Sequence, residues 1–530
     1  MSKKQLLGSL WAEGKISRRD FMAGAAAIGL TASSATALMA SSAKAATPKK
    51  GGRYRMGLGH GSTTDSFDPA TYENGFATNL VFTHMNHLTE VNNDGSLIPE
   101  LAESWEPSSD ARTWTFKLRK GIEFHNGKTM DADDVLASIN HHRGKDTKSG
   151  AKGILDPIEA IKKDGNDTVV FSLKDGNADF PFLVSDYHLA IFPSKDDKII
   201  WEGGIGTGPY KVESFEPGVR AFLTKNPNYW KEGRGHFDEV EMLSIIDGNA
   251  RQNALTTGEV DAIDRVDTKT VRLMARVKGV KIQESTGTLH YTFPMDTRVA
   301  PFDNVDVRLA LKYAMNREEI LKKVLHGHGA LGNDHPISTS NRYHAGDLPQ
   351  RGYDPDKAKH HLKKAGAEGL TVSLSAADAA FGGAVDAAVL YKEHAAKAGI
   401  TIDLIREPND GYWSNVWMKK PWCVCYWGGR PTEDWMFSTA YAGGANWNDT
   451  FWKNDRFDTL LKAARAELDE AKRGAMYAEM QGIVHNDGGV VIPMFANHIH
   501  GLSDKVMHDD KVAGNWEMDG SKSAERWWFG

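Results

Sequence analysis

Cysteine is almost absent from this chain, which has only Cys423 and Cys425 among its 530 residues. Two cysteines are too few for a disulfide framework or an iron–sulfur ligand set, and no Cys-x-x-Cys-His haem attachment occurs. We interpret both as buried thiols. The sequence also lacks a Gly-x-Ser-x-Gly nucleophile elbow and a dinucleotide-binding glycine loop. We therefore expect no enzymatic activity, no catalytic residues and no cofactor.

Long apolar runs are missing too, because no stretch has the roughly 20 strongly apolar residues that a membrane-spanning helix needs. The first 45 residues instead join a basic start to an Ala-rich segment that Gly and Ser interrupt. Ser17-Arg18-Arg19-Asp20-Phe21-Met22 is a twin-arginine pattern, and Ala43-Lys44-Ala45 fits a signal-peptidase site. We predict a signal peptide over 1–45 that is handled by the Tat translocase and cleaved near Ala45. The mature protein would then be soluble in the periplasm.

An excess of positive charge is lacking as well, since the formal net charge of the whole chain is −6. The predicted signal peptide carries six basic and two acidic residues, so its removal takes the net charge to −10. This balance argues against nucleic acid or an anionic membrane surface as a partner.

The chain is long enough for two hydrophobic cores, because single cores stop growing at roughly 250–300 residues. Hydrophobic residues make up 40% and charged residues 25%, with a mean hydropathy of −0.46, which is typical of a soluble globular protein. Short apolar runs alternate with turn signals along the whole mature chain. The pattern predicts a mixed α/β or α+β fold.

Periodicity gives individual elements. Predicted strands are Trp114–Leu118, Thr168–Leu173, a hairpin over 209–224, Thr371–Ser375 and Ile400–Ile405. Predicted helices start at Asp131 as N-cap, run over Asp306–Leu325 with a restart at Asn316, and cover Asp356–Ala365, Val385–Ala398 and Asp455–His485 in two pieces around Gly474.

Five segments together resemble the family of peptide- and nickel-type extracellular solute-binding proteins of ABC importers. They are Ser66-Phe-Asp-Pro69; Leu97 to Glu106, with Leu-Ala-Glu-Ser-Trp-Glu at its end; Trp114 to Val135, which contains Gly-Ile-Glu-Phe-His-Asn-Gly-Lys; Gly206-Thr-Gly-Pro-Tyr210 with Asn226-Pro-Asn-Tyr-Trp230; and Pro301-Phe-Asp-Asn-Val-Asp to Asn316. They cover nearly the whole mature chain in order.

The resemblance implies a two-lobed clamshell with a discontinuous N-terminal lobe and two hinge crossings. In this sequence lobe I would be 46–290 plus 498–530, and lobe II would be 291–497. A small molecule or peptide captured between the lobes would be delivered to ABC transporter permease subunits in the inner membrane. A monomer is expected.

One position departs from the family pattern. Peptide-binding members carry a Trp, two small residues and then an Asp that pairs with the ammonium group of the peptide. Here the stretch is Trp427-Gly428-Gly429-Arg430. A guanidinium in a cleft favours a carboxylate or phosphate, so we predict that Arg430 pairs with an anionic group of the ligand. The alternative is a structural pair with Glu433 or Asp434.

Other candidate ligand contacts come from residue type and from position in the family pattern. Aromatic residues are dense over 412–447, which suits a cleft wall, although most are expected in the core. The predicted ligand-binding residues are Arg430, Trp427, Gly428, Gly429, Phe67, Asp68, Trp413, Tyr441 and Asn446.

Histidine pairs raise the question of a metal, namely His84 with His87, His326 with His328, and His498 with His500. None has a zincin spacing or a carboxylate that completes a site, so we interpret them as surface or structural residues and predict no metal ligands. Nickel, haem, opine or sugar ligands on the same fold stay open as alternatives. A Tat-exported periplasmic enzyme is the alternative from another class.

Overall fold

The structure, a computed structural model, describes residues 48–145, 147–409 and 412–530, together with Phe21 and Ala25. The predicted signal peptide and its cleavage site lie outside the described residues, apart from those two positions. Within the described part of the chain, none of the helices combines the length and the apolar character that a membrane crossing requires.

Two long antiparallel strands, Val280–Pro294 and Val490–Ser503, form the axis of the molecule. We call them the crossing strands. They belong to a nine-stranded sheet that begins at Tyr210–Glu216 and ends at Cys425–Trp427. Their register shifts between Thr286 and His290, where one strand has three residues opposite a single residue of the other. Such a bulge bends and twists the pair locally.

The elements before and after the crossing strands are mostly β. The strands are Arg53–Leu58, Thr89–Val91, Leu97–Pro99, Ala102–Pro107, Thr113–Leu118, Ile158–Lys163, Thr168–Leu173, Ser194–Lys195, Lys198–Ile199, Tyr210–Glu216, Arg220–Lys225, Glu239–Ser244, Ala262–Ile263, Val506–Met507 and Trp528–Phe529. The helices are Gly75–His84, Ala132–His141, Lys152–Leu155, Phe180–Leu183, Gly248–Thr256, Val271–Met274 and Ser523–Arg526, with a turn at Glu517–Gly520 and 3₁₀ turns at Pro69–Thr71 and Tyr187–Leu189.

Between the crossing strands the chain is mostly helical. The helices are Val305–Tyr313, Arg317–Val324, Pro355–Ala365, Ala384–Ala396, Tyr412–Asn415, Glu433–Ala440, Asp455–Ala466 and Glu470–Asp487. The strands are Gly329–Leu331, a parallel pair at Thr371–Ala376 and Thr401–Arg406, and Cys425–Trp427.

The hydrophobic clusters fall into two groups along the chain. Four are built from residues 54–282 and 499–529, and the other two from residues 289–496. This grouping gives two lobes, of which the first is discontinuous and closed by the C-terminal end of the chain. The predicted boundaries at 290 and 497 fall inside the continuous crossing strands, and they stay a prediction.

Most predicted elements are present at the expected places, and the Asp131 cap is a full capping box with Asp134. The predicted break at Gly474 is wrong. The helical segment is interrupted at residues 467–469, where the Asp469 carboxylate accepts hydrogen bonds from the N–H groups of Ala471 and Lys472 and starts a new helix. Gly474 lies inside that helix, against the ring of Tyr343.

The glycines of the Gly-x-Gly motif at 206–208 have a packing role. A Cβ on Gly206 would come within 2.0 Å of the carbonyl oxygen of His84, and one on Gly208 within 2.5 Å of the His84 carbonyl carbon. Only glycine fits where this segment crosses the end of helix Gly75–His84. Packing alone thus accounts for both glycines.

The C-terminal end of the chain is fixed to lobe I by buried charges. Lys231 Nζ lies 2.5 Å from Glu90, 2.6 Å from Glu100 and 3.0 Å from Glu525. Lys522 contacts the same three carboxylates, and Arg526 pairs with Glu90 at 2.7 Å. Three carboxylates and three basic side chains thus lie in contact with little access to water, and their six charges compensate each other.

Removing one member of this network is expected to be costly, because a buried carboxylate is then left uncompensated. We predict that Lys231→Met lowers the free energy of unfolding by about 3–5 kcal/mol. The control is Lys117→Met, at a lysine that is 54% exposed and lies 3.7 Å from Glu103. Chemical denaturation of both variants checks this, and equal stability of the two would contradict it.

Candidate functional site

A cleft of about 990 Å³ lies between the two lobes, at the bulge of the crossing strands. Its size is in the range of clefts that hold small ligands. Lobe I contributes the start of helix Gly75–His84, Tyr187, residues 265–269 and residues 515–517. Lobe II contributes residues 323–326, Gly383 and 428–430, and the crossing strands contribute 288, 289 and 496–499.

Arg430 lines this cleft and is half-buried. Its Nη1 donates to the carbonyl oxygens of Gly428 at 2.7 Å and Gly429 at 3.3 Å, and its guanidinium lies 5.8 Å from the ring centroid of Trp435. Burial lowers the pKa of Arg430, partly offset by Tyr187 and Asp186. Among the described residues, no carboxylate forms an ion pair with it.

The alternative partners of Arg430 are engaged elsewhere. Asp434 pairs with Arg465 at 3.0 Å. Glu433 accepts a hydrogen bond from the N–H of Tyr343 at 2.7 Å. The structural pairing considered from the sequence is therefore not formed. The guanidinium lines the cleft without an ion-pair partner among the described residues, and Asp186 acts on it only at longer range. Its role in binding a ligand stays a prediction.

Gly428 and Gly429 also line the cleft, but their surroundings differ. A Cβ on Gly429 would lie 1.8 Å from Oγ1 and 2.6 Å from the backbone carbon of Thr288, on a crossing strand. The nearest atom to a Cβ on Gly428 would be Arg430 Nη1 at 4.0 Å. Gly429 thus sets how closely the Arg430 segment approaches the crossing strands.

The structure places the other predicted contacts of lobe II away from the cleft. Trp427 is 6% exposed and packs in a core cluster, where its Nε1 donates to Asp449 at 3.1 Å. Trp417 donates to the same carboxylate oxygen at 3.1 Å. Tyr441 is buried in the same cluster. Trp413 and Asn446 are exposed and do not line the cleft.

Phe67 and Asp68 of lobe I do not line the cleft either. Phe67 packs against Phe215, with ring centroids 4.9 Å apart. The Asp68 carboxylate accepts from the N–H of Ala70 and lies 2.7 Å from His141 Nε2. Asp68 therefore caps the short turn Pro69–Thr71, which is the turn role that Asp-Pro sequences favour.

Sequence reasoning missed a charged group on the lobe I wall. Arg265 pairs with Glu517 at 2.7 Å, and its Nη1 donates to His60 Nε2 at 2.7 Å. All three side chains line the cleft. Behind them, burial and repulsion by Glu517 raise the pKa of Asp264 to about 7. These residues come from three distant parts of the chain, and no motif joins them.

The histidine pairs have different surroundings. His326, His328 and His498 line the cleft, whereas His84, His87 and His500 are buried. His500 Nε2 accepts from the N–H of Met518 at 2.9 Å, so this ring is neutral and structural. Among the described residues, the one group of three potential metal ligands is Glu90, Glu100 and Glu525. The ammonium group of Lys231 already contacts all three.

The two lobes also contact each other directly at a second place, outside the cleft. Asp179 of lobe I pairs with Arg473 of lobe II at 2.6 Å, and both are buried. The N–H of Ala178 donates to the carbonyl oxygen of Arg465 at 2.7 Å. Burial, with the nearby Asp179 carboxylate, raises the pKa of Glu433 to about 7. We call these contacts the inter-lobe seam.

Substitutions at the two neighbouring glycines test the close contact between Gly429 and Thr288. We predict that Gly429→Ala displaces Arg430 from the crossing strands, because its methyl group overlaps the Thr288 backbone. The apparent melting temperature should fall by about 1–3 °C. Gly428→Ala, where the methyl group meets open space, should melt like the wild type. Similar melting of the two variants in differential scanning calorimetry would contradict this packing.

The seam predicts a pH effect. The pKa of Glu433 is higher in the folded state, about 7, than in the unfolded chain. The stability that this group contributes to the fold is therefore highest below the unfolded-state pKa and falls as the pH rises to about 7, above which the loss is complete. Glu433→Gln keeps an acceptor for Tyr343 without the charge. We expect it to raise the free energy of unfolding at pH 8 by about 3 kcal/mol and to have little effect at pH 4.5.

The control for this variant is Glu368→Gln, at an exposed position. Urea denaturation at both pH values provides the measurement. A Glu433→Gln variant that is no more stable than wild type at pH 8 would show that Glu433 is not held in an unfavourable charged state.

Comparison with known proteins places this architecture in a family. The model of bacterial extracellular solute-binding proteins, family 5, matches residues 96–449. The chain is 26% identical over 450 residues to the glutathione-binding protein GsiB of Pectobacterium atrosepticum, covering 81% of this chain and 86% of the relative. It is 26% identical over 503 residues to di/tripeptide-binding protein 1 of Pseudomonas aeruginosa, covering 84% and 90%.

Among solved structures, HbpA2 from Haemophilus parasuis has the same fold, with a TM-score of 0.80 at 21% sequence identity. The match covers 88% of this chain and 99% of that one. The two-lobed fold, the inter-lobe cleft and the match over the main body of the chain all point to the same family. The protein is a member of family 5 of the bacterial extracellular solute-binding proteins.

Proposed function

We propose that this chain is the periplasmic substrate-binding component of an ABC importer and not an enzyme. It captures a small peptide or peptide-like solute with an anionic group and presents it to the permease subunits. A ligand that contacts both walls of the cleft stabilises the closed arrangement of the lobes. The permease then recognises that arrangement.

The observation that supports the anionic ligand is that the Arg430 guanidinium lines the cleft, donates only to backbone carbonyl oxygens and forms no ion pair with a described residue. Taking a charge out of water without a partner is unfavourable, and a ligand carboxylate removes that penalty on binding. Charge repulsion disfavours a ligand whose ammonium group would lie at this position, because two cations would then be close together.

The relatives set the range of ligands. Their names refer to glutathione, to di- and tripeptides and, in one case, to heme. A cleft of about 990 Å³ suits a ligand of the size of a small peptide. Arg430, with Gly428 and Gly429 beside it, is the part of the cleft that favours an acidic member of this range.

We also propose the route by which the protein reaches the periplasm. Ser17-Arg18-Arg19-Asp20-Phe21-Met22 directs export of the folded chain through the Tat translocase, with cleavage near Ala45. Replacing Arg18 and Arg19 by Lys should leave the uncleaved precursor in the cytoplasm. Cell fractionation followed by mass spectrometry of the N-terminus measures this, and normal export of the variant would refute the Tat route.

A thermal-unfolding screen of residues 46–530 tests the ligand class. The probes are dipeptides, tripeptides, opine-like acids, sugar phosphates, haem and nickel. A ligand at 100 times its Kd stabilises by about 2.7 kcal/mol, which raises the melting temperature by about 2 °C or more. We expect shifts from carboxylate-bearing peptide-like solutes, and we expect Arg430→Ala to lose them.

The matched control is Arg456→Ala, because Arg456 is 59% exposed and pairs with Glu479 outside the cleft. This variant should keep every shift. If Arg430→Ala keeps the same shifts as wild type, the anionic-ligand proposal is wrong. If only nickel or only haem raised the melting temperature, that probe would instead be identified as the ligand.

A further inference from the structure

Tyr187 faces the same cleft as Arg430, but from the opposite lobe. It begins the short turn Tyr187–Leu189. Its ring packs on His188, with centroids 4.1 Å apart and planes at 30°, and contacts the Trp516 ring at 5.7 Å edge to face. His188 is itself held by the Asp186 carboxylate at 2.7 Å. The position of the Tyr187 ring is therefore fixed before any ligand arrives.

The hydroxyl group of Tyr187 has no hydrogen-bond partner among the residues that the structure describes, and it is not sealed from the cleft. Burial raises the pKa of Tyr187, so the phenol stays protonated and able to donate at neutral pH. The Arg430 guanidinium acts in the opposite direction on this pKa, which places the two groups within electrostatic reach of each other. The two groups thus line the same cleft from opposite lobes. The Tyr187 hydroxyl has no acceptor among the described residues, and the Arg430 guanidinium donates there through Nη1 alone, to the carbonyl oxygens of Gly428 and Gly429.

We propose that the Tyr187 hydroxyl and the Arg430 guanidinium form one carboxylate subsite that spans the two lobes. This proposal rests on the proposed function and extends it to a second residue. One ligand carboxylate accepts hydrogen bonds from both groups. Because each lobe supplies one donor, the full interaction forms only when the lobes are closed, and the carboxylate therefore contributes directly to closure.

The neighbouring acids define which anion fits. Asp186 and Glu73 lie close enough to raise the pKa of Tyr187 further. Their negative charge disfavours a phosphate dianion more than a single carboxylate. The subsite is therefore assigned to a monoanionic carboxylate, and a phosphate monoester of similar size should bind more weakly.

Titration calorimetry with matched probes tests the subsite. The probes are Ala-Ala, N-acetyl-Ala-Ala, the C-terminal amide of each, and O-phosphoethanolamine. We expect wild type to bind at least one free acid about tenfold or more tightly than its amide, because a hydrogen bond to a charged group is worth about that much. Tyr187→Phe should weaken binding of the acid about five- to tenfold and leave binding of the amide unchanged.

Two further variants separate the possible results. Tyr187→Phe combined with Arg430→Ala should weaken acid binding by less than the product of the single effects, because the two donors share one carboxylate. Tyr426→Phe is the matched control, since Tyr426 is 43% exposed and lies outside the cleft. Tyr187→Phe keeps the ring contacts, so its melting temperature without ligand should equal that of wild type.

The outcomes of the two proposals are distinguishable. If Tyr187→Phe binds the acid as tightly as wild type while Arg430→Ala does not, the subsite belongs to Arg430 alone and this inference is wrong. If wild type does not prefer any acid over its amide, or binds none of the probes, the anionic preference in the proposed function fails as well. Tighter binding of the phosphate probe would overturn the assignment to a carboxylate.

Discussion

The pairing of the two crossing strands is the constraint on which the rest of the structure depends. Val280–Pro294 and Val490–Ser503 run through both lobes as one antiparallel ladder, and the larger of its two register shifts lies at residues 286–290. The cleft opens at this shift. The segment that carries Arg430 reaches the cleft because strand Cys425–Trp427 pairs with the first crossing strand and Gly429 packs on Thr288. The position of the guanidinium is therefore set by backbone contacts.

Lys231 and Arg430 show two different settings for a charged side chain. Lys231, in lobe I, has three carboxylates within 3.0 Å, and the surrounding network is compensated. Arg430 is half-buried and donates only to backbone carbonyl oxygens. The first arrangement stabilises the attachment of the C-terminal end of the chain. The second leaves a charge at the cleft without an ion-pair partner, which is the arrangement that the proposed ligand carboxylate would complete.

Local patterns in the sequence predicted local structure well. Alternation gave the strands at 113–118 and 168–173, and side-chain caps gave helix starts at Asp131 and Asn316. The helix break was misplaced because Asp469, a stronger signal than Gly474, satisfies two backbone N–H groups. Capping chemistry therefore decides such a boundary more reliably than the presence of a glycine.

The sequence predicted only part of the lining of the cleft, for physical reasons. Arg430 and the two glycines line the cleft, as a contiguous motif suggested. Trp427 turned inward because its indole N–H finds the buried carboxylate of Asp449, a partner 22 residues away in sequence. Tyr187 and Glu517 reach the cleft from segments that are far apart in the chain and have no distinguishing pattern of their own. Their proximity follows from tertiary packing, which one sequence does not reveal.

The central claim is that Arg430 neutralises an acidic group of the bound solute. The most direct test is a crystal structure of the protein purified from periplasm with its natural ligand retained, supported by mass spectrometry of that ligand. The account predicts a carboxylate oxygen within about 3 Å of the Arg430 guanidinium, between the two lobes. A ligand that presents an ammonium or apolar group at this position, or an Arg430 side chain turned away from the ligand, would contradict it.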